Sequence, residues 1–228
     1  MCGRFSIVDG TTVIEKRFGV KFTSSQFETY YSAKYNAAPS MYLPMVMLDK
    51  ATNEKTLVAG KWGLMPPWMH NFRPQANARL DTVQERKMFK DAFTHRHCLV
   101  PADSFFEWHR EKGIRQPYRI MLKDESMFAM AGIWEDSIAL SEPPTFALLT
   151  TNANTMMAKI HDRMPVIIPR RYEDRWLHEV GQGVISNIPM QYPPEDMKMY
   201  PVTTRINKVS YQEPDAIVPV EPAPSLGI

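Results

Sequence analysis

The segment HCLVPADSFFEW, residues 97–108, carries the reading of the fold. It is short, apolar and aromatic-rich, the composition of an extended strand. In an extended chain Phe105, Glu107 and His109 share one face, and Phe106 and Trp108 share the other. Working outward, six more segments read the same way: KTLVAGKWGL (55–64), PYRIMLK (117–123), MFAMAGIWE (127–135), TFALLTTN (145–152), MPVIIP (164–169) and MKMYPVT (197–203). Helical signals are fewer. Thr82-Val-Gln-Glu85 has the form of a capping box ahead of KMFKDAF, in which Met88, Phe89, Ala92 and Phe93 would share an apolar face. TTVIEKRF (11–18), TMMAKI (155–160) and RRYEDRWLHEV (170–180) are the other candidates. Strands dominate the middle and helices are scattered around them, which predicts an α+β fold with a mainly antiparallel sheet or barrel. No linker interrupts residues 60–200. The expectation is one domain, residues 1–213, followed by a Pro-rich C-terminal tail, residues 214–228.

The 228 residues fit one large domain with enough apolar content for a core. No run of 18 apolar residues is present, so no membrane-spanning helix is expected. No basic segment followed by an apolar stretch opens the chain, so no secretory signal is expected either. Cys2 and Cys98 make no disulfide framework, and a cytoplasmic, reducing location is the simplest expectation. The formal net charge is only +2, but it is unevenly spread. Residues 61–115 hold ten Lys/Arg against six Asp/Glu, and residues 173–228 hold four against eight. A basic middle could attract an anion such as nucleic acid; an ordinary mixed surface explains the counts as well.

Four stretches carry possible chemistry. In MCGRF (1–5), removal of Met1 would leave Cys2 with a free α-amine beside its thiol, a 1,2-aminothiol found nowhere else along a chain. WGLMPPW (62–68) places Trp68 after a Pro-Pro turn, either as a stacking platform for a base or tucked back onto the core. In the following QANARLD (75–81), Asn77 and Arg79 share one side of extended backbone, a pair suited to phosphate or sugar recognition. In DSFFEWH (103–109), Glu107 is flanked by bulky apolar groups. A carboxyl there is either paired with a base or desolvated, and a desolvated one can serve as general acid or base. KIHDRMPVII (159–168) puts His161, Asp162 and Arg163 at a helix-to-strand junction, where side chains commonly face a cleft. HRHC (95–98) fits no zinc spacing, so no metal site is expected, and Cys98 reads as a buried thiol.

Taken in order, MCGRF, YNAAPS (35–40), WGLMPPW, NAR, PADSFFEW and IHDRMPV resemble the SRAP family, the SOS-response-associated peptidase proteins that shield abasic sites in DNA. The likeness runs from Cys2 to about residue 205. It implies a single domain with a β-barrel-like core and flanking helices; no cofactor and a monomer are expected. The implied partner is single-stranded DNA containing abasic sites, including strand–duplex junctions, and not a membrane. By motif, Cys2 takes the nucleophile's role, with Asn77, Glu107 and His161 as the amide, carboxylate and imidazole of the site. Arg4, Arg79 and Arg163 match phosphate-holding positions, Pro39 and Trp68 match positions that pack against bases, and Thr150 matches a polar contact. Asp81 stands where the family usually has Glu, and the shorter side chain is expected to loosen a supporting contact. Two other functions stay open: a cysteine peptidase or amidohydrolase built on Cys2, His161 and Asn77, and a non-covalent single-strand binder.

Overall fold

The structure is a computed structural model that describes residues 3–22, 31–69, 73–111, 113–137, 142–179, 183 and 186–222. Cys2, the end of the expected tail (223–228) and Val180 of one expected helix lie outside the described residues.

Residues 97–108 are extended, as expected, but fall in two strands. β6 (His97–Ala102) and β7 (Ser104–Glu111) part at Asp103 and belong to different sheets. The smaller sheet has the order β13–β8–β7–β1–β2, with β1 Phe5–Ile7, β2 Lys34–Ala37, β8 Ile114–Leu122 and β13 Met197–Pro201. The larger sheet is built from β3 (Tyr42–Leu48), β4 (Lys55–Trp62), β6, β9 (Phe128–Glu135) and β10 (Thr145–Asn152). Its pairings run β3–β4–β10–β9–β6 and return to β3. The ring is narrow at β3–β6, where Val46 meets Leu99, and at β4–β10, so the barrel-like expectation holds in this restricted sense. Short strands β5 (Asn77–Arg79), β11 (Arg163–Pro165) and β12 (Ile167–Ile168) extend it. Among the described residues every named strand pair is antiparallel except β10 with β4 and with β5.

Packing inside the ring is close. A Cβ on Gly132 of β9 would lie 2.7 Å from the Cys98 Sγ on β6, so glycine is what lets these strands approach. Trp62 and Phe146 stack in parallel with centroids 6.4 Å apart, and Phe5 of the smaller sheet tilts onto Trp62 at 5.1 Å. The core therefore lies between the ring and the smaller sheet.

Helix α1 (Thr11–Phe18) matches its expected bounds and ends on Gly19 in the left-handed region. Helix α2 (Lys87–His95) buries Phe89, Ala92 and Phe93, but the expected capping box does not form. The Thr82 carbonyl accepts from the Glu85 and Arg86 amides in a separate turn, and the helix begins after Arg86 with no side-chain cap. TMMAKI yields only a 3₁₀ turn at Met157–Lys159, and RRYEDRWLHEV gives a 3₁₀ turn followed by α3 (Glu173–His178). The stretch from 203 to 222 lies on the smaller sheet. Phe106, Val202, Ile206 and Ala216 form a second small core, and Val202 bridges Pro219. Residues 214–217 are thus packed as a 3₁₀ turn, with no break at residue 213.

Candidate active site

A cleft of about 950 Å³ opens where the N-terminal strand meets β7. Its walls are Gly3 and Arg4, Glu107 through Arg110 of β7, Arg115 of β8, Asn152 and Ala153 at the end of β10, residues 158–162, and Asn207.

Backbone register decides which side chains meet there. β1 pairs antiparallel with β7, Phe5 opposite Phe105 and Ser6 opposite Ser104, and the Phe106 amide donates to the Arg4 carbonyl at 2.9 Å. Continued by one residue, this register sets Gly3 against Glu107. A buried polar knot pins it. Asp103 accepts from the Val8 amide at 2.7 Å and from the Ser6 hydroxyl, and Arg119 donates to Asp103 at 3.2 Å and to Ser104 Oγ at 2.8 Å. Arg119 also reaches Tyr200 Oη at 2.8 Å, and that hydroxyl donates to the Ile217 carbonyl at 3.0 Å. A slip of one residue would break the bonds of Ser6 and Val8 to Asp103 and turn each β1 side chain to the other face.

Glu107 is 3% exposed, yet it lines the cleft. The turn after Met157–Lys159 brings His161 into the same cleft, its amide donating to the Met157 carbonyl at 2.9 Å. His161 Nδ1 accepts the Arg163 amide at 3.0 Å, which leaves the neutral ring its proton on Nε2. The exposed Asp162 carboxylate also lies 2.9 Å from Nδ1, a contact that operates only when Nδ1 itself is protonated.

Arg4 lines the cleft, with Nη1 donating to Asn36 Oδ1 at 2.9 Å and to the Ile206 carbonyl at 2.7 Å, and its guanidinium 5.8 Å from the Trp108 ring centre. Burial pulls its pKa below the usual arginine value. Asn77 and Arg79 of β5, Thr150 of β10 and Arg163 of β11 do not line this cleft. Asn77 and Arg79 flank Ala78 on β5, which pairs with β10 so that Arg79 lies beside Thr150. Arg163 is 5% exposed and donates to the Thr150 carbonyl at 2.6 Å and to Asn152 Oδ1 at 2.7 Å. Its guanidinium braces Asn152, a residue of the cleft wall, and burial lowers its pKa. Asp81 holds Arg79 through two bonds, 3.2 and 2.8 Å, and lies 3.6 Å from Arg163. The hydrogen bond from Arg79 keeps the Asp81 carboxyl below the usual range, so the shorter side chain does hold its arginine.

Pro39 and Trp68 do not line the cleft. Pro39 is exposed in the turn between β2 and β3, and Trp68 is 50% exposed with Lys87 Nζ 4.9 Å from its ring centre. Trp68 is therefore a surface platform and not a core cap. HRHC divides: His95 is exposed, while His97 stacks on Trp176 at 4.0 Å and Cys98 is buried. Sequence reasoning missed Asn36 and Asn207. Asn36 stands in YNAAPS, a stretch with no strand signal of its own, and nothing local marks Asn207.

Fold and site together define an α+β protein with a polar cleft built around its N-terminal strand. Residues 1–209 match the SOS response associated peptidase (SRAP) family, and the chain belongs to it. The abasic site processing protein YoqW of Bacillus subtilis (strain 168) is 33% identical over 227 residues, covering 95% of this chain and 99% of its own. The abasic site processing protein HMCES of Gallus gallus is 28% identical over 229 residues, covering 85% of this chain and 68% of its own. A crystal structure of a Bacteroides thetaiotaomicron protein shares the fold, with a TM-score of 0.83 at 23% identity, covering 96% of this chain and 100% of that one. Among the described residues no helix is long and apolar enough to cross a membrane.

Proposed function

We propose that the protein processes abasic sites in single-stranded DNA by linking to them covalently through Cys2 once Met1 has been removed. The observation that supports it most is the β1–β7 register, which brings Gly3, the residue after Cys2, to Glu107 in a cleft that also holds His161 and Arg4.

The chemistry follows from the two groups of the N-terminal cysteine. An α-amine with a reference pKa of about 7.7–8.0 is partly neutral at pH 7 and adds to the aldehyde of the opened sugar. Loss of water from that adduct gives an imine. The thiol, with a reference pKa of about 8.5, then adds through sulfur to the same carbon, and its proton ends on the nitrogen. The product is a five-membered thiazolidine, with one water released overall. In this scheme Glu107 gives and takes the protons of dehydration, and His161 donates from Nε2 to the sugar oxygen as the ring opens. Asn77 orients the sugar. Arg4 and Arg79 hold flanking phosphates, with Arg163 and Thr150 fixing the wall on that side, and Pro39 and Trp68 meet the bases.

The test is intact-mass spectrometry after incubation with an abasic single-stranded oligonucleotide. The expected result is a heat-stable adduct of one strand per protein lacking Met1. Cys2→Ser should give only an imine, which is lost on heating unless borohydride first reduces it to a stable amine. A heat-stable adduct from Cys2→Ser without borohydride would refute the ring mechanism, and no adduct from wild type would refute the covalent reading.

A further inference from the structure

Several arginines in this fold are neutralised: Arg17 pairs with Glu173, Arg79 with Asp81, Arg96 with Glu135 and Arg119 with Asp103. The end of the β7–β8 hairpin is different. Its register sets Arg110 directly opposite Arg115. Such partners point to the same face with Cβ atoms about 4.5–5.5 Å apart, and like charges in that position destabilise the pair. Both arginines are exposed, both line the cleft, and among the described residues neither has a carboxylate partner or a side-chain hydrogen bond. Lys159, on the turn that also carries His161, lines the same cleft and likewise has no ion pair there.

We infer that Arg110 and Arg115, with Lys159 facing the same space, form a clamp for one backbone phosphate of the nucleic-acid strand as it runs on from the reacting nucleotide. An anion between two guanidinium groups turns their repulsion into charge-assisted hydrogen bonds from both sides. Arg110 stands three residues along β7 from Glu107, about 10 Å of extended strand, so the clamp serves a neighbouring nucleotide and not the lesion. The identity of the anion rests on the function proposed above. The clamp is a separate element from the motif arginines Arg4, Arg79 and Arg163.

The experiment measures affinity for an undamaged single-stranded oligonucleotide against salt concentration. It compares wild type with Arg110→Gln, Arg115→Gln, the double variant and Arg175→Gln, whose guanidinium on α3 pairs with Glu179 just past the helix end. One neutralised phosphate adds about 0.7 to the log–log slope for a single strand. The double variant should therefore lose about 0.7, each single variant no more than that, and Arg175→Gln nothing. A double-variant loss near 1.4 would mean two independent contacts, and an unchanged slope none; either overturns the clamp. An equal loss in Arg175→Gln would reduce the effect to net charge and overturn it too. Without ligand, Arg115→Gln should melt at or above the wild-type temperature because a repulsion is relieved, whereas a lower Tm with an unchanged slope would make the arginine structural. Adduct formation by wild type on an abasic strand is scored separately. Its absence would overturn the proposed function while the slopes still decide the clamp, and a wild type that does not bind the undamaged strand would overturn the clamp alone.

Discussion

Replacing Asn36 with alanine should loosen the whole C-terminal segment from the cleft. Asn36 is fully buried on β2, with Nδ2 3.1 Å from each of the carbonyl oxygens of Ile206, Lys208 and Tyr211, while Oδ1 accepts from Arg4 Nη1 at 2.9 Å. Chemistry fixes the orientation of this amide, since three acceptors face the nitrogen and a donor faces the oxygen. Its two hydrogens serve the three carbonyls, so alanine removes two neutral bonds and one from a charged donor. Two neutral bonds at about 1 kcal/mol each and a charged one at about 1.5–3 kcal/mol sum to roughly 4 kcal/mol. The Ile206 carbonyl still accepts from Arg4, which trims the loss towards 3 kcal/mol. For a chain of this size each kcal/mol lowers Tm by about 2–4 °C, so a drop of about 10 °C is expected. The segment also carries Asn207, whose Oδ1 accepts from Trp108 Nε1 at 2.6 Å on the cleft wall. Slower adduct formation and new protease cleavage between residues 203 and 222 should therefore accompany the lower Tm. Asn36→Asp keeps the acceptor for Arg4 but sets a second oxygen against three carbonyls, and should be no more stable than Asn36→Ala. Urea denaturation checks the magnitude. A loss under about 1 kcal/mol in Asn36→Ala would show that the packing around Phe106 holds the segment alone, and would refute the reasoning.

Two further outcomes test the site and its support. Glu107→Gln keeps shape but cannot exchange a proton near neutrality, so abasic DNA should bind normally while adduct formation slows by at least about tenfold, general acid–base help being worth about 10²–10⁴-fold; a wild-type rate would move the proton shuttle to His161. His97 gives a pH dependence: burial pushes its imidazole down to about 4, against the Trp176 and Phe93 carbonyls, which favour the protonated ring. With the folded value below the unfolded reference of about 6.5, its contribution is complete above that pH and is lost as pH falls towards 4, on the order of 3 kcal/mol in all. His97→Phe keeps a ring against Trp176, so its urea midpoint should fall less than the wild-type midpoint between pH 7.5 and 4.5. Equal falls would assign the acid sensitivity to the carboxylates.

Local sequence determined the parts that depend on neighbours along the chain. Short apolar, aromatic-rich composition marked β4, β9 and β10 as strands, and β10 and α1 have the bounds read from sequence. The same local reading picked out Glu107 and His161 separately, because a carboxylate amid aromatics and a His-Asp-Arg junction are unusual in themselves. It missed β1, which is three residues long, and β3, which contains Pro44, since neither shows enough pattern to stand out. What it could not supply was pairing between distant residues. The break at Asp103 arises because that carboxylate serves Ser6, Val8 and Arg119, none of them its neighbour in sequence. Gly3 reaches Glu107 through the register of β1 on β7, and Asn36 meets Ile206 through the fold of a segment some 170 positions away. Residue spacing encodes which face a side chain takes on its own element. Which elements then touch, and in what register, is set by the combined burial and hydrogen bonding of the whole chain, and only the tertiary structure carries that.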